Sequence, residues 1–132
     1  MKKIILSLLV LLIISTILMA DAQKVAILEF SSDRESEYVA NSLMKRDFSI
    51  VFKGFDDIEL IDMKKSKKAL QASGISNLSY AGVEDIAAMG GELNANIVIW
   101  GTISAESSSS FKIVAKIYSM QTNEVSVTSF VV

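Results

Sequence analysis

Glu29, Ser31, Ser32 and Asp33 are the residues of this chain whose type and position come nearest to chemistry. Glu29 lies inside the apolar run at residues 24–30 (KVAILEF), near its carboxyl end. In open α/β sheets that is the end where ligands dock, and burial there would raise the carboxylate pKa. A general acid needs a base or nucleophile beside it. Glu29 has none, so a partly exposed glutamate at a strand terminus fits the position better. Ser31, Ser32 and Asp33 precede a helical pattern, where they read either as anion ligands at a helix amino terminus or as plain caps, the commoner use. The chain has no Cys, His or Pro. This removes thiol and imidazole catalysis and zinc sites of the usual Cys/His kind. Neither a Gly-rich phosphate loop nor a G-x-S-x-G elbow occurs. The expectation is a protein that is not an enzyme and takes no cofactor and no metal.

Binding residues are easier to find. Lys64, Lys65, Lys67 and Lys68 crowd one short segment; they form either a contact for anionic lipid, acidic glycan or an acidic partner, or a solvated helix face. Trp100 stands in an apolar strand beside Gly101, where it is core more often than a platform, with Gly101 giving it room. Tyr38, Tyr80 and Tyr118 are scattered and make no stacking site. Phe130, Val131 and Val132 end the chain as an apolar strand. At a sheet edge that strand would pair with a second copy or with another protein.

The hydrophobic share of 51% is raised by the amino terminus. Lys2 and Lys3 precede an uncharged apolar run at residues 4–19, and Ala20-Asp21-Ala22 follows. A basic start, a short apolar run and a small-x-small site make the pattern of a secretory signal peptide, with Ala20 and Ala22 marking cleavage. The alternative is an uncleaved anchor giving membrane contact, although the run falls short of the roughly 20 residues of a spanning helix. Cleavage leaves residues 23–132 as one domain. Of the 13 basic and 15 acidic side chains, Lys2, Lys3 and Asp21 belong to the signal. The remainder is therefore more acidic than the whole chain, whose net charge is −2, and a poor match for nucleic acid. With no Cys, the domain is held by packing without disulfides, and no thiol is present for lipidation at the signal junction.

The elements follow from periodicity. Residues 24–30 suit a strand buried on both faces. Ala40, Leu43, Met44, Phe48, Val51 and Phe52 recur at helical spacing up to Gly54, which predicts an amphipathic helix of about 20 residues. Residues 58–63 read as a second strand. Asp62 caps a helix over 63–72 that stops at Gly74, and a polar link leads to a helix over 83–93. Gly90-Gly91 either serves a close packing contact or breaks that helix. Strands at 96–104, from Phe111 and from Val125 form an antiparallel meander, with Asn123 taking φ > 0 in the last turn. The order is β-α-β-α-α-β-β-β, an α/β (α+β) fold with a single mixed sheet of about five strands and helices packed on it.

Three segments give this order a family resemblance. KVAILEF at 24–30, VEDIAAMGGELNANIVIWGTI at 83–103 and FKIVAKIYSMQTNEVSVTS at 111–129 resemble the opening strand, the helix-to-strand passage and the closing hairpin of the TolB amino-terminal domain. The same broad group holds the CsgG-type curli secretion lipoproteins and the LpoB-type activators of penicillin-binding proteins. The likeness spans nearly the whole chain after the signal, through positions that carry fold more than task. The chain departs from the lipoprotein members in lacking a junction cysteine. Beyond the core strands it has no long alternating hairpins of the kind pores need. The resemblance implies an exported, non-enzymatic protein-binding module of the periplasm or cell envelope, docking onto another envelope protein through the lysine-bearing helix or the terminal strand. The alternative is a subunit of an outer-membrane assembly or secretion complex.

Overall fold

Val25, Ala26, Ile27 and Leu28 are all buried because their strand runs through the interior of the sheet with a helix layer on each side. The computed structural model describes residues 23–131. Residues 1–22, where the export signal with Ala20 and Ala22 is expected, lie outside the described residues, as does Val132. β1 (Gln23–Ser32) pairs in parallel with β2 (Ile58–Leu60) on one side and β3 (Ile97–Ala105) on the other. β4 (Phe111–Ser119) and β5 (Glu124–Val131) follow in antiparallel, so the sheet order is β2-β1-β3-β4-β5. This is the mixed five-stranded α+β sheet expected from periodicity. β1 extends further than its apolar run, so Ser31 and Ser32 are strand residues opposite Thr102 and Ile103 and cap nothing. β2 is shorter than residues 58–63, because Asp62 leaves the strand to cap the next helix.

One face of the sheet is covered by a long helix in three stretches. α1 (Glu37–Ser42), a π-helical turn (Leu43–Asp47) and α2 (Phe48–Phe52) follow without a break. Regular α-helix was expected throughout, and the π turn has a packing reason. Leu43 and Phe48 are both fully buried, yet residues five apart sit about 140° round an α-helix. Widening that one turn brings both onto the sheet. The Ser42 hydroxyl donates to Asp47 Oδ2 at 2.9 Å across the same five residues. Ala40, Leu43, Phe48 and Phe52 then pack on Val25, Ile27, Ile99, Ile113 and their neighbours. Burying Leu43, Phe48 and Phe52 contributes about 1.5–3 kcal/mol each.

The other face carries two shorter helices. Asp62 accepts from the Lys64 N–H (2.9 Å) to open α3 (Met63–Ser73), and Gly74 closes it with φ 75°. A 3₁₀ turn (Leu78–Tyr80) occupies the polar link, and α4 (Val83–Glu92) is intact through its glycine pair. Of the two explanations for that pair, close packing holds at Gly90, where a Cβ would lie 2.8 Å from Val98 Cγ2 and 3.0 Å from Met120 Sδ. These helices seal Ala26, Leu28, Val98, Trp100 and Tyr118. The closing hairpin turns at Asn123 with φ 57°, and the Tyr118 hydroxyl donates to its Oδ1 at 2.8 Å.

Candidate docking surface

The place where an α/β sheet usually receives a ligand is shut. It lies at the carboxyl ends of parallel strands, here the neighbours β1 and β3. Asp33 fills it: Oδ2 accepts from the Ala105 N–H at 3.0 Å and Oδ1 from the Ser36 N–H at 2.9 Å. The buried Ser36 hydroxyl lies between the Asp33 carboxylate and the Ile103 carbonyl, 2.8 Å from the latter. Donation from the Ser36 hydroxyl, then from the Ala105 N–H, holds the Asp33 carboxyl below its usual range. Asp33 therefore ties the start of the helical segment to the end of β3, which is capping in the broad sense and not anion binding. Glu29 is exposed. Ile27 pairs with Ile99 and Phe30 with Gly101, so Leu28 and Glu29 together face Trp100 as a β-bulge.

What stays open is half of one sheet face. On β4 the side toward the long helix is Phe111, Ile113, Ala115 and Ile117, all buried. The other side is Lys112, Val114, Lys116 and Tyr118, and only Tyr118 is buried, under the meander's turn and the α3–α4 layer. Register carries this pattern outward: Val125 lies beside Tyr118, Val127 beside Lys116, Ser129 beside Val114 and Val131 beside Lys112. Val125 packs beside Tyr118 against the cluster under α3 and α4, while Val127 and Val131 stand on the uncovered part of that face, 61% and 59% exposed. Ser126 and Thr128 stand on the helix-covered side. This reverses the usual alternation of a half-buried strand, which puts apolar residues inward. The result is an apolar strip, Val114, Val127 and Val131, bordered by Lys112 and Lys116.

A shallow depression adjoins the strip, with Leu78, Trp100, Thr102, Val114 and Lys116 in its wall. It encloses about 240 Å³ counting its open mouth, less than the roughly 300–1,000 Å³ of a small-molecule site. Trp100 is core, 6% exposed, and its Nε1 is buried with no hydrogen-bond partner. Gly101 serves a different neighbour from the one expected: a Cβ there would meet the Val114 carbonyl oxygen at 2.1 Å and the Phe30 ring at 2.6 Å. Tyr80, on the 3₁₀ turn, is almost fully exposed.

The residues expected to bind do not converge. Lys64, Lys65, Lys67 and Lys68 are all exposed on α3, on either side of a buried seam of Ser66 and Ala69. α3 packs on β1 and α4. Phe130 lies on β5 opposite Ile113, three strands away from β1. Sequence reading passed over Lys112, Lys116, Val114 and Val127, although the signal was there. Two lysines four apart on one strand mark a solvated face, and the Asn123 turn sets the register that places the valines on that face. Among the described residues, no group of acids, His and Cys could hold a metal ion, and no helix is long and apolar enough to cross a membrane.

With this arrangement established, the solved structures give the family likeness. The chain matches the LpoB C-terminal domain of Salmonella enterica at 12% identity and a TM-score of 0.67, over 96% of this chain and 94% of that one. It resembles an LpoB C-terminal domain in fold. The domain from Escherichia coli matches at 14% identity and a TM-score of 0.60, over 91% and 92% of the two chains. Lipoprotein GNA1162 of Neisseria meningitidis matches at 7% identity and a TM-score of 0.60, over 83% and 79%. No protein-family model and no curated protein matches the chain. The likeness bears out the LpoB part of the resemblance at the level of fold; the TolB and CsgG parts rest on sequence phrases alone.

Proposed function

We propose that this chain is an exported, non-enzymatic protein-binding module of the bacterial cell envelope, docking another envelope protein on the open half of its sheet. One observation carries the reading. Val127 and Val131 of β5 lie on a half-face that no helix among the described residues covers, and contiguous apolar surface left in water marks an interaction site. The fold likeness to LpoB domains and the export pattern at residues 2–22 support the setting. Lys112 and Lys116 border the strip, so the fitting partner offers an apolar surface flanked by acids. The lysines of α3 form a second, separate contact for the same acidic partner, and Phe130 lies in the strand that borders the first.

The test is charge reversal in the full chain. Lys112→Glu with Lys116→Glu should release the chain from its envelope complex on a native gel. Lys64→Ser, Lys65→Ser, Lys67→Ser and Lys68→Ser together should weaken the complex less. Retention of the complex by the reversed chain, with its fold intact by circular dichroism, would remove the open face from the reading.

A further inference from the structure

The two edges of the sheet are built differently. β2 has three residues, follows Asp56 and Asp57, and carries Glu59, so that edge is short and acidic. β5 has eight residues in unbroken register with β4, from Ser119↔Glu124 to Lys112↔Val131. Its outer side is a row of backbone groups with no strand beside it among the described residues. Isolated proteins blunt such edges with Lys, Pro or bulges. β5 has none of these, and its single charge, Glu124, stands at its first position.

We infer that β5 pairs antiparallel with β5 of a second copy of this chain, about a two-fold axis through Val127. Three features select a copy of the same strand. A two-fold axis normal to the sheet keeps each residue on its own face, so the exposed Val127 of one copy lies directly opposite Val127 of the other on the open side. Ser126 and Thr128 of both copies meet on the other face, as hydroxyl pairs suited to cross-strand contact. The antiparallel sense sends the two Glu124 side chains to opposite ends, about 20 Å apart at 3.4 Å per residue, beyond the screening length of roughly 8 Å. A parallel pairing would stack them. The joined sheet has ten strands and one continuous open face, so self-pairing enlarges the docking surface without occupying it. The inference stands independently of the proposed partner: self-pairing and capture of another protein give different products in one assay.

The chain has no cysteine, which makes single-cysteine variants clean reporters. The full chain carrying Val127→Cys, or two co-expressed full chains carrying Ser126→Cys and Thr128→Cys, is made in a bacterial host, and the cells are mildly oxidised. Residues facing each other near the axis come within the Cα separation a disulfide requires. Both arrangements should give a dimer of twice the chain mass on non-reducing gels, about tenfold above Glu124→Cys and Lys65→Cys, whose sites lie too far apart. Adding Val127→Lys to both chains of the Ser126→Cys and Thr128→Cys pair, or Val127→Glu to both, should abolish the dimer, and Lys on one chain with Glu on the other should restore it. Val127 is mostly exposed, so these changes leave the fold in place. No dimer at either central position, equal dimer at all four, dimer at Glu124→Cys, or disulfides only to other proteins would overturn the inference.

Discussion

The parallel half of the sheet and its antiparallel half are built on different terms. β1 and the first part of β3 lie between two helix layers, and Ala26, Ile27, Val98 and Ile99 are sealed from water on both faces. Beyond Tyr118 and Val125, β4 and β5 have a described helix on one face only, and on the other Lys112, Val127 and Val131 stand in solvent beside the half-buried Lys116. The first half holds the molecule together. The second offers a strand face and a strand edge that nothing in the described residues covers. The same contrast separates a site from a scaffold: Asp33 closes the crevice a small ligand would use, while the valine strip is left open.

Mutations should follow that division. Phe48→Ala, in the sealed layer, is expected to cost about 3–5 kcal/mol, read as a lowered urea midpoint; a loss under about 1 kcal/mol would mean the long helix is not anchored there. Gly101→Ala should rank next, at about 1–3 kcal/mol or more. The new methyl would strike the Val114 carbonyl and the Phe30 ring, and backbone yields less readily than a side chain. Asp33→Asn should have a smaller, pH-dependent effect. The carboxyl's pKa is lowered in the folded chain, so its contribution is full above the ordinary value of 3.8 and fades as pH falls through the folded one. Melting temperatures of wild type and variant should differ at neutral pH and converge in strong acid; a constant gap would assign the effect to lost geometry instead. Val127→Ser should be the mildest, within about 0.5 kcal/mol, because Val127 has little to lose. A cost of about 2 kcal/mol would show that this half is sealed after all.

Much of the sealed half was legible in the sequence. The run at residues 24–30 announced a strand buried on both sides, Asp62 and Gly74 announced the ends of α3, and Asn123 announced the last turn. The π turn was not legible. Ala40, Leu43 and Met44 continue to Phe48 at ordinary α spacing, and only the demand that both Leu43 and Phe48 meet the sheet reveals the widened turn. Ser31 and Ser32 read as caps because hydroxyls before a helix usually are; Asp33 takes that role by accepting from the Ser36 N–H, and it also accepts from Ala105, 72 residues away. The open face was legible only in part. Lysines four apart on β4 marked it, but which helix covers which face depends on how the crossovers pass the sheet. Local spacing does not carry that information.

The central claim is that the open half-face docks another envelope protein. Its most direct measurement places a photo-crosslinking side chain at Val114 of the full chain in living cells, with Ile50, exposed on α2, as the control. The account expects one discrete adduct from Val114, identified by mass spectrometry as a different envelope protein and absent from Ile50. It also expects Lys112→Glu with Lys116→Glu to remove that adduct. Adducts equal at both positions, or none from Val114, would contradict it.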